Sequence, residues 1–391
     1  MLIVAVTAFA ACLVALLWWQ AEPARSATSV PQGFTDSLVA QVPNPTAMAI
    51  APDGRLFVTQ KANNNIGRVQ VIKNGKLLSK PFLKLPTDTS FFRGLLGITL
   101  DPDFAHNGYV YVFYTATKPT LHNRVSRFTA NGDVTVAGSE KVLLDLPAFP
   151  DPNQGGHYGG SLRFGADGKL YVGVGDGAND GTNPLSQQSQ SIDNLNGKIL
   201  RINSDGTIPT DNPFYGPTSG DDRIWALGLR QPISLDVQSG TNRMFVNEVG
   251  EDSWEEIDEV AQDATQGAKN YGWPTYEGFA TSPTLQNYQD PLLAYPHSSP
   301  DPNVATGCSI TGGAFYDPTT ATNSFASYQG KYFYTDFCSG WIRVFDPSSG
   351  TDTAFASGID KPVDLEVGDN GSLYYLFRGS SSVPAAVRQV R

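Results

Sequence analysis

The chain of 391 residues holds four histidines, and one of them, His157, stands in "GGHYGGSLRFGADGKLYVGVGDG" (155–177), between glycines and ahead of an alternating apolar run. A neutral imidazole at the start of a strand can take a proton from a hydroxyl near neutral pH, so His157 is a candidate general base. A polar turn residue is the plainer reading of the same spacing. Arg230, in "WALGLRQPISLDV", also precedes an alternating run. A guanidinium among apolar neighbours wants an anion, supplied either by a ligand or by an acidic residue of a neighbouring element. "NEVGEDSWEEIDEV" (247–260) holds seven acidic residues in fourteen. Clustered carboxylates and turn carbonyls are hard oxygen ligands of the kind Ca2+ takes, without the EF-hand spacing. A solvated acidic loop reads the same way. "DGANDG" (176–181) is a shorter candidate of the same type.

These residues need a scaffold, and a recurring pattern supplies it. A turn, usually with Gly, leads into apolar and aromatic residues in "PDGRLFVTQ" (52–60), "HNGYVYVFYT" (106–115), "ADGKLYVGVGD" (166–176), "GTNRMFVNEVG" (240–250), "YQGKYFYTDF" (328–337) and "DNGSLYYLFRG" (369–379). Asp-Gly and Asn-Gly ahead of such runs are hairpin signals. A strand candidate precedes each copy and another follows most of them, so each copy reads as one small antiparallel sheet. Six such units predict an all-β, six-bladed β-propeller; a plain β-sandwich has no such period. The lone strand candidate "TDSLVAQV" (35–42) and the strand-poor last copy predict that the N-terminal strand closes the ring. In a propeller the strand ahead of each copy lines the central channel, which places His157 and Arg230 at a channel mouth. Two stretches, 176–197 and 251–307, break the rhythm and read as long functional loops.

Composition narrows the class. The formal net charge is −11, which makes nucleic acid and anionic membrane surfaces poor partners. Charged residues are only 17%, and 39 Gly with 27 Pro make the chain turn-rich. Residues 1–27 read as a signal peptide or an N-terminal membrane anchor: an apolar run from Leu2 to Trp19, broken by Thr7, then Pro23, Arg25, Ser26 and Ala27. Either way, residues 28–391 form the propeller and lie outside the cytoplasm. Cys12 belongs to the leader, and Cys308 and Cys338 remain. Two cysteines in an exported chain point to one disulfide, worth ~3–4 kcal/mol for a loop of that length.

The blocks "RGLLGITLDPDFAHNGYVYVFYT", "HYGGSLRFGADGKLYVGVGDG", "GKILRINSDG", "IPTDNPF", "WALGLRQP", "EVGEDSWEEIDEV" and "NYGWPTYEG" occur in this order. Together they resemble the glucose/sorbosone dehydrogenase family of soluble aldose sugar dehydrogenases, which depend on pyrroloquinoline quinone (PQQ) and Ca2+. "CSITGGAFYDP" and "YFYTDFCSGWIRVFDP", which contain Cys308 and Cys338, further resemble the branch with Hedgehog-interacting-protein-like propellers. The resemblance implies His157 as the base acting on the C1 hydroxyl of an aldose. It implies Arg230 at the quinone and substrate, with Gln231 where an Asn is usual. It places the cofactor's Ca2+ on the turn carbonyls at Gly250 and Glu251, and a second, structural Ca2+ at Glu256 and Tyr271. An external electron acceptor completes the reaction.

The chain also departs from the family. Phe92 stands where sugar-oxidising members have a Gln, and Cys338 stands near a family Lys. "DKPVDLEV" offers only Lys361 in place of two Arg. The expected cations for the quinone carboxylates are therefore Arg230 and Lys361, with Arg93 in reserve. A second class of function stays open, in which the propeller is a calcium-stabilised module that binds carbohydrate or protein without PQQ.

Overall fold

The computed structural model describes residues 28–61, 64–148, 156–178, 181–217, 220–260, 268–318 and 323–391. The leader expected over 1–27 and the centre of "DGANDG" lie outside the described residues. Among the described residues there are six small, mainly antiparallel sheets and almost no helix. They are the blades of a six-bladed propeller.

The repeating motif turns out to be the second strand of each blade: Leu56–Gln60, Tyr109–Ala116, Leu170–Val174, Met244–Glu248, Tyr332–Asp336 and Leu373–Phe377. Five of the six are buried along their whole length. The cause is stacking. A blade has a neighbour on each face, so its middle strands need apolar residues on both sides rather than on alternate positions. The turn glycines fit this; Gly54, for example, takes a φ of +82° between the first two strands of its blade.

The core divides accordingly into clusters between adjacent blades. Phe57 and Val69 of the first blade pack with Leu95 and Ile98 of the second. Tyr111 and Phe113 pack with Leu162 and Leu170, and Trp225 with Leu235 and Met244. Phe245 and Ile257 pack with Ile310 and Tyr332, and Phe333 and Ile342 with Leu365 and Tyr375. The last cluster joins Leu376 and Val387 of the sixth blade to Met48 and Val58 of the first.

The ring closes through the N-terminal strand. Asp36–Gln41 pairs antiparallel with Ala386–Val390, from Asp36 opposite Val390 to Gln41 opposite Ala386. Asp36 also takes Arg388 at 2.9 Å. The sixth blade is thus built from both ends of the described chain.

The stretch 251–307 is more regular than its composition indicated. Trp254–Val260 is the third strand of the fourth blade and Leu293–Pro296 its fourth; Lys269–Asn270 adds a short parallel strand to the third blade. "EDSWEEIDEV" is therefore not a solvated loop. Glu255, Glu256 and Asp258 are buried within a strand, because the blade stacks on both faces whatever the polarity of its residues.

Candidate active site

The inner strands are Pro45–Ile50, Leu95–Leu100, Leu162–Phe164, Pro232–Val237, Ile310–Phe315 and Pro362–Val367. Residues from all six line one cavity of about 460 Å³ along the propeller axis. Its mouth lies where the inner strands begin. In an antiparallel pair, residues that follow a second strand reach the same end. The mouth therefore collects two sets of side chains, those before first strands and those after second strands.

His157 belongs to the first set and lines the cavity. Two glycines let its loop lie close against the sheet: a Cβ on Gly159 (φ +66°) would sit 2.5 Å from the Gly173 carbonyl, and one on Gly160 (φ +110°) would sit 2.8 Å from Leu96 Cβ. His157 Nδ1 lies 2.8 Å from Oδ1 of Asp176, which is fully buried. Asp176 also accepts the Ala178 N–H at 2.8 Å and the Trp273 indole N–H at 2.8 Å. A carboxylate that accepts on every side requires Nδ1 of His157 to donate, which leaves Nε2 as the basic nitrogen. The sequence reading set Asp176 in the candidate cation loop "DGANDG" and not beside His157. The signal was its place in the second set, just after the strand Leu170–Val174.

Arg230 lies 8% exposed at the same mouth. Its Nη1 donates to the Val249 carbonyl at 3.1 Å, its guanidinium carbon is 5.4 Å from the centre of the Trp273 ring, and its buried Nε has no hydrogen-bond partner. Gln231 Oε1 accepts the Gly159 N–H at 2.9 Å, so it fixes the glycine turn after His157. Glu248 accepts the Gln231 N–H at 2.9 Å and holds the Arg230–Gln231 backbone from behind.

Gly250 and Glu251 line the cavity beside these residues. A Cβ at Gly250 would sit 1.6 Å from the Trp254 carbonyl, so the turn closes only on glycine. The turn is wound about Glu277, which accepts the N–H groups of Glu251 (2.8 Å), Ser253 (3.1 Å) and Trp254 (3.0 Å). The Glu251 carboxylate takes the N–H of Gly181, which ties the turn to the stretch 176–197. Lys198 pins that same stretch: its fully buried ammonium donates to the carbonyls of Gln188 (2.9 Å), Ser189 (2.9 Å) and Asn196 (2.6 Å). Burial brings its pKa down to about 7.

Glu256 lies behind the mouth, opposite Glu248 in the pairing of Met244–Glu248 with Trp254–Val260. Desolvation holds all three carboxyls, Glu248, Glu256 and Asp258, well above the usual range; repulsion from Glu256 adds to it at Glu248 and Asp258, and repulsion from Glu277, Glu255 and Asp290 adds to it at Glu256. Glu248 Oε2 and both Asp258 oxygens are buried without a hydrogen-bond partner. Tyr271 is buried near this group, its hydroxyl donating to the Glu259 carbonyl at 2.7 Å. Among the described residues no group of three or more His, Cys, Asp or Glu is gathered so as to hold a metal ion.

The cations fall differently from the sequence expectation. Lys361 does not line the cavity. It takes a φ of +60° just ahead of Pro362, and its carbonyl accepts the Arg378 N–H at 2.9 Å. Arg93 is 3% exposed and occupied, with Nε on Asp88 at 2.9 Å and Nη1 3.4 Å from the Tyr158 hydroxyl. Lys61 and Arg378 line the mouth instead. Each directly follows a second strand, a register signal the sequence carried unread. Phe91 and Phe92, 56% and 66% exposed, form part of the rim. Cys308 and Cys338 are joined in a disulfide that also lines the mouth.

The family model described as Glucose / Sorbosone dehydrogenase matches residues 42–382. The chain belongs to this family. Among relatives, HIPL2 protein of Arabidopsis thaliana is 28% identical across 82% of the chain and 56% of that protein. The aldose sugar dehydrogenase YliI of Escherichia coli is 28% identical across 82% of the chain and 80% of the relative. The chain thus spans little more than half of the plant relative's length. Among solved structures, the apo-form of the soluble aldose sugar dehydrogenase of E. coli superposes with a TM-score of 0.73 at 23% identity, covering 92% of the chain and 99% of that structure. The PQQ-bound aldose sugar dehydrogenase of Streptomyces coelicolor gives 0.69 at 22%, covering 93% and 100%. At these identities the likeness is one of fold.

Proposed function

We propose that this member of the glucose/sorbosone dehydrogenase family is a PQQ- and Ca2+-dependent oxidoreductase that oxidises the C1 hydroxyl of an aldose to the lactone. The observation that carries the reading is the His157–Asp176 pair at the mouth of the axial cavity. The names of its relatives, an aldose sugar dehydrogenase and a quinoprotein glucose dehydrogenase, supply the substrate class.

The residues present fit both groups. Arg230, with an unpartnered buried Nε, faces a cavity large enough for a planar tricarboxylate. Gly250 and Glu251 would offer backbone oxygens to the cofactor's Ca2+. The orphaned carboxylate oxygens beside Glu256 and Tyr271 suit a second cation. The quinone, when bound, supplies a two-electron acceptor for hydride, and calcium adds Lewis acidity.

The chain's own part is acid–base and positional. His157 Nε2 takes the proton of the C1 hydroxyl. Asp176, holding Nδ1–H, keeps the ring in the tautomer with Nε2 free and stabilises the imidazolium that forms. Trp273 bridges the two halves of the site, with its indole N–H on Asp176 and its face under Arg230. The disulfide suits an oxidising, extracytoplasmic location. Among the described residues no helix is long and apolar enough to cross a membrane.

The purified protein, given PQQ and Ca2+, is expected to bind the quinone with a shifted absorbance and to reduce a dye with one or more aldoses. The exposed Phe91 and Phe92 at the rim favour a second reading, a module that docks a sugar face or a protein. Quinone absorbance unchanged on mixing, with no dye reduction from any aldose, would replace the first reading by the second.

A further inference from the structure

Lys61 and Arg378 stand at equivalent places in neighbouring blades, the first and the sixth, each one residue beyond its second strand. Both line the cavity mouth. Lys61 Nζ donates to the Phe91 carbonyl. Asp88, the carboxylate that acts on Lys61, is already taken by Arg93 at 2.9 Å. The Arg378 guanidinium carbon lies 5.9 Å from the centre of the Phe337 ring. Neither cation is ion-paired among the described residues. Burial, then repulsion from Arg378, pushes the Lys61 pKa down, and burial pushes that of Arg378 down. The protein carries 38 acidic against 27 basic residues, so counter-charge is abundant elsewhere. Two crowded cations left without it mark a place where the counter-ion comes from outside.

We propose that Lys61 and Arg378 form a carboxylate clamp at the channel mouth, which grips one edge of a planar aromatic polycarboxylate whose other edge meets Arg230. The shape follows from the lining, in which the apolar side chains of Phe92, Leu96 and Phe337 share the cavity with the two cations. Arg378 offers a fork to one carboxylate and Lys61 a point charge beside it. As to occupant, the clamp rests on the proposed function, since the quinone has this chemistry. It replaces the Lys361 expected from the sequence.

The test is a titration of the purified protein in Ca2+ with PQQ, read by quenching of tryptophan fluorescence, together with melting curves in benzene-1,3,5-tricarboxylate and in its neutral triamide. Lys61→Met and Arg378→Met are each expected to weaken quinone binding by about 10- to 100-fold, the worth of a charge-assisted hydrogen bond. Lys61→Arg should restore most of the loss, and the salt dependence should flatten in the Met variants. Variants that melt like the wild type without ligand and bind the quinone as tightly would overturn the clamp and leave the cofactor reading intact. A wild type that ignores the quinone, but is stabilised by the tricarboxylate and not the triamide in a manner lost in both Met variants, would keep the clamp and remove the cofactor. No response to either anion overturns the clamp.

Discussion

Further along the inner strands from the mouth, the same cavity is lined by Arg163, Asp364 and Glu366. Arg163 is ion-paired to Asp236 and, at 3.0 Å, to Glu366. Asp364 is occupied by the Met48 N–H at 2.7 Å and the Leu365 N–H at 2.9 Å. At the mouth, Arg230 bonds a carbonyl, and Lys61 and Arg378 have no carboxylate partner among the described residues. One cavity thus handles charge in two ways. Deep in the channel the chain supplies its own counter-ions from two other blades, and the network ties the three blades together. At the mouth it leaves cations and a basic nitrogen for something that arrives. A buried charge neutralised by the chain is structural, while one left bare needs a ligand to account for its desolvation.

The contrast predicts opposite phenotypes. At the mouth, His157→Ala should lower kcat/KM for aldose oxidation by about 10²–10⁴-fold while leaving the melting temperature and quinone affinity nearly unchanged. A loss of only a few-fold would remove His157 as the base. Deep in the channel, Arg163→Met should leave Asp236 and Glu366 unpaired and cost ~3–5 kcal/mol, measured by urea unfolding at neutral pH. A variant as stable as the wild type would show that the axial network holds nothing.

The pH dependence sharpens the same comparison. Desolvation, against the pull of Arg163, leaves the Glu366 carboxyl pushed up to about 7. The folded state then binds its proton more tightly than the unfolded chain does. Its contribution to stability is present below the ordinary Glu range, near pH ~4.5, and is lost as pH rises to about 7. Glu366→Gln is expected to flatten this part of the stability profile; an unchanged slope would assign the proton elsewhere. The smallest effect expected belongs to the mouth. Removing a crowded, unpaired cation by Arg378→Met should shift apo-protein stability by no more than ~0.5 kcal/mol, or raise it. A clear loss would reveal a partner inside the chain and dissolve the contrast.

The bound calcium is testable alongside. If the oxygens around Gly250 and Glu256 hold Ca2+, chelation should lower the melting temperature and added Ca2+ restore it. A curve indifferent to both would leave the Glu248, Glu256 and Asp258 carboxyls as neutral, protonated acids.

Period and turn chemistry were local, so they could be read from residues alone. "PDGRLFVTQ" and its five relatives named the blades, and the stray strand before the first copy named the closure that Asp36–Gln41 makes. The same logic found half of the mouth, because His157 and Arg230 precede inner strands. It missed the other half, leaving Lys61 and Arg378 unread and Asp176 in a candidate cation loop, because the residues after second strands were not taken to reach the same end. It also took Trp254–Val260 for a loop. Acidic residues in a strand are legible as such only when the neighbouring blade that buries them is known.

By itself the sequence determined the number of blades, the closing strand and the family, since each is set by short-range pattern or by a motif. Only the tertiary structure decided which charges meet. Asp236 and Glu366, 73 and 203 residues from Arg163, are its partners because three inner strands converge on one axis. Lys361 does not line the cavity, although its carbonyl pairs with the N–H of Arg378, which does, and Arg93 was taken because Asp88 lay within reach. Coulomb energy depends on distance in space, and the spacing of residues along a chain does not fix that distance until the ring is closed.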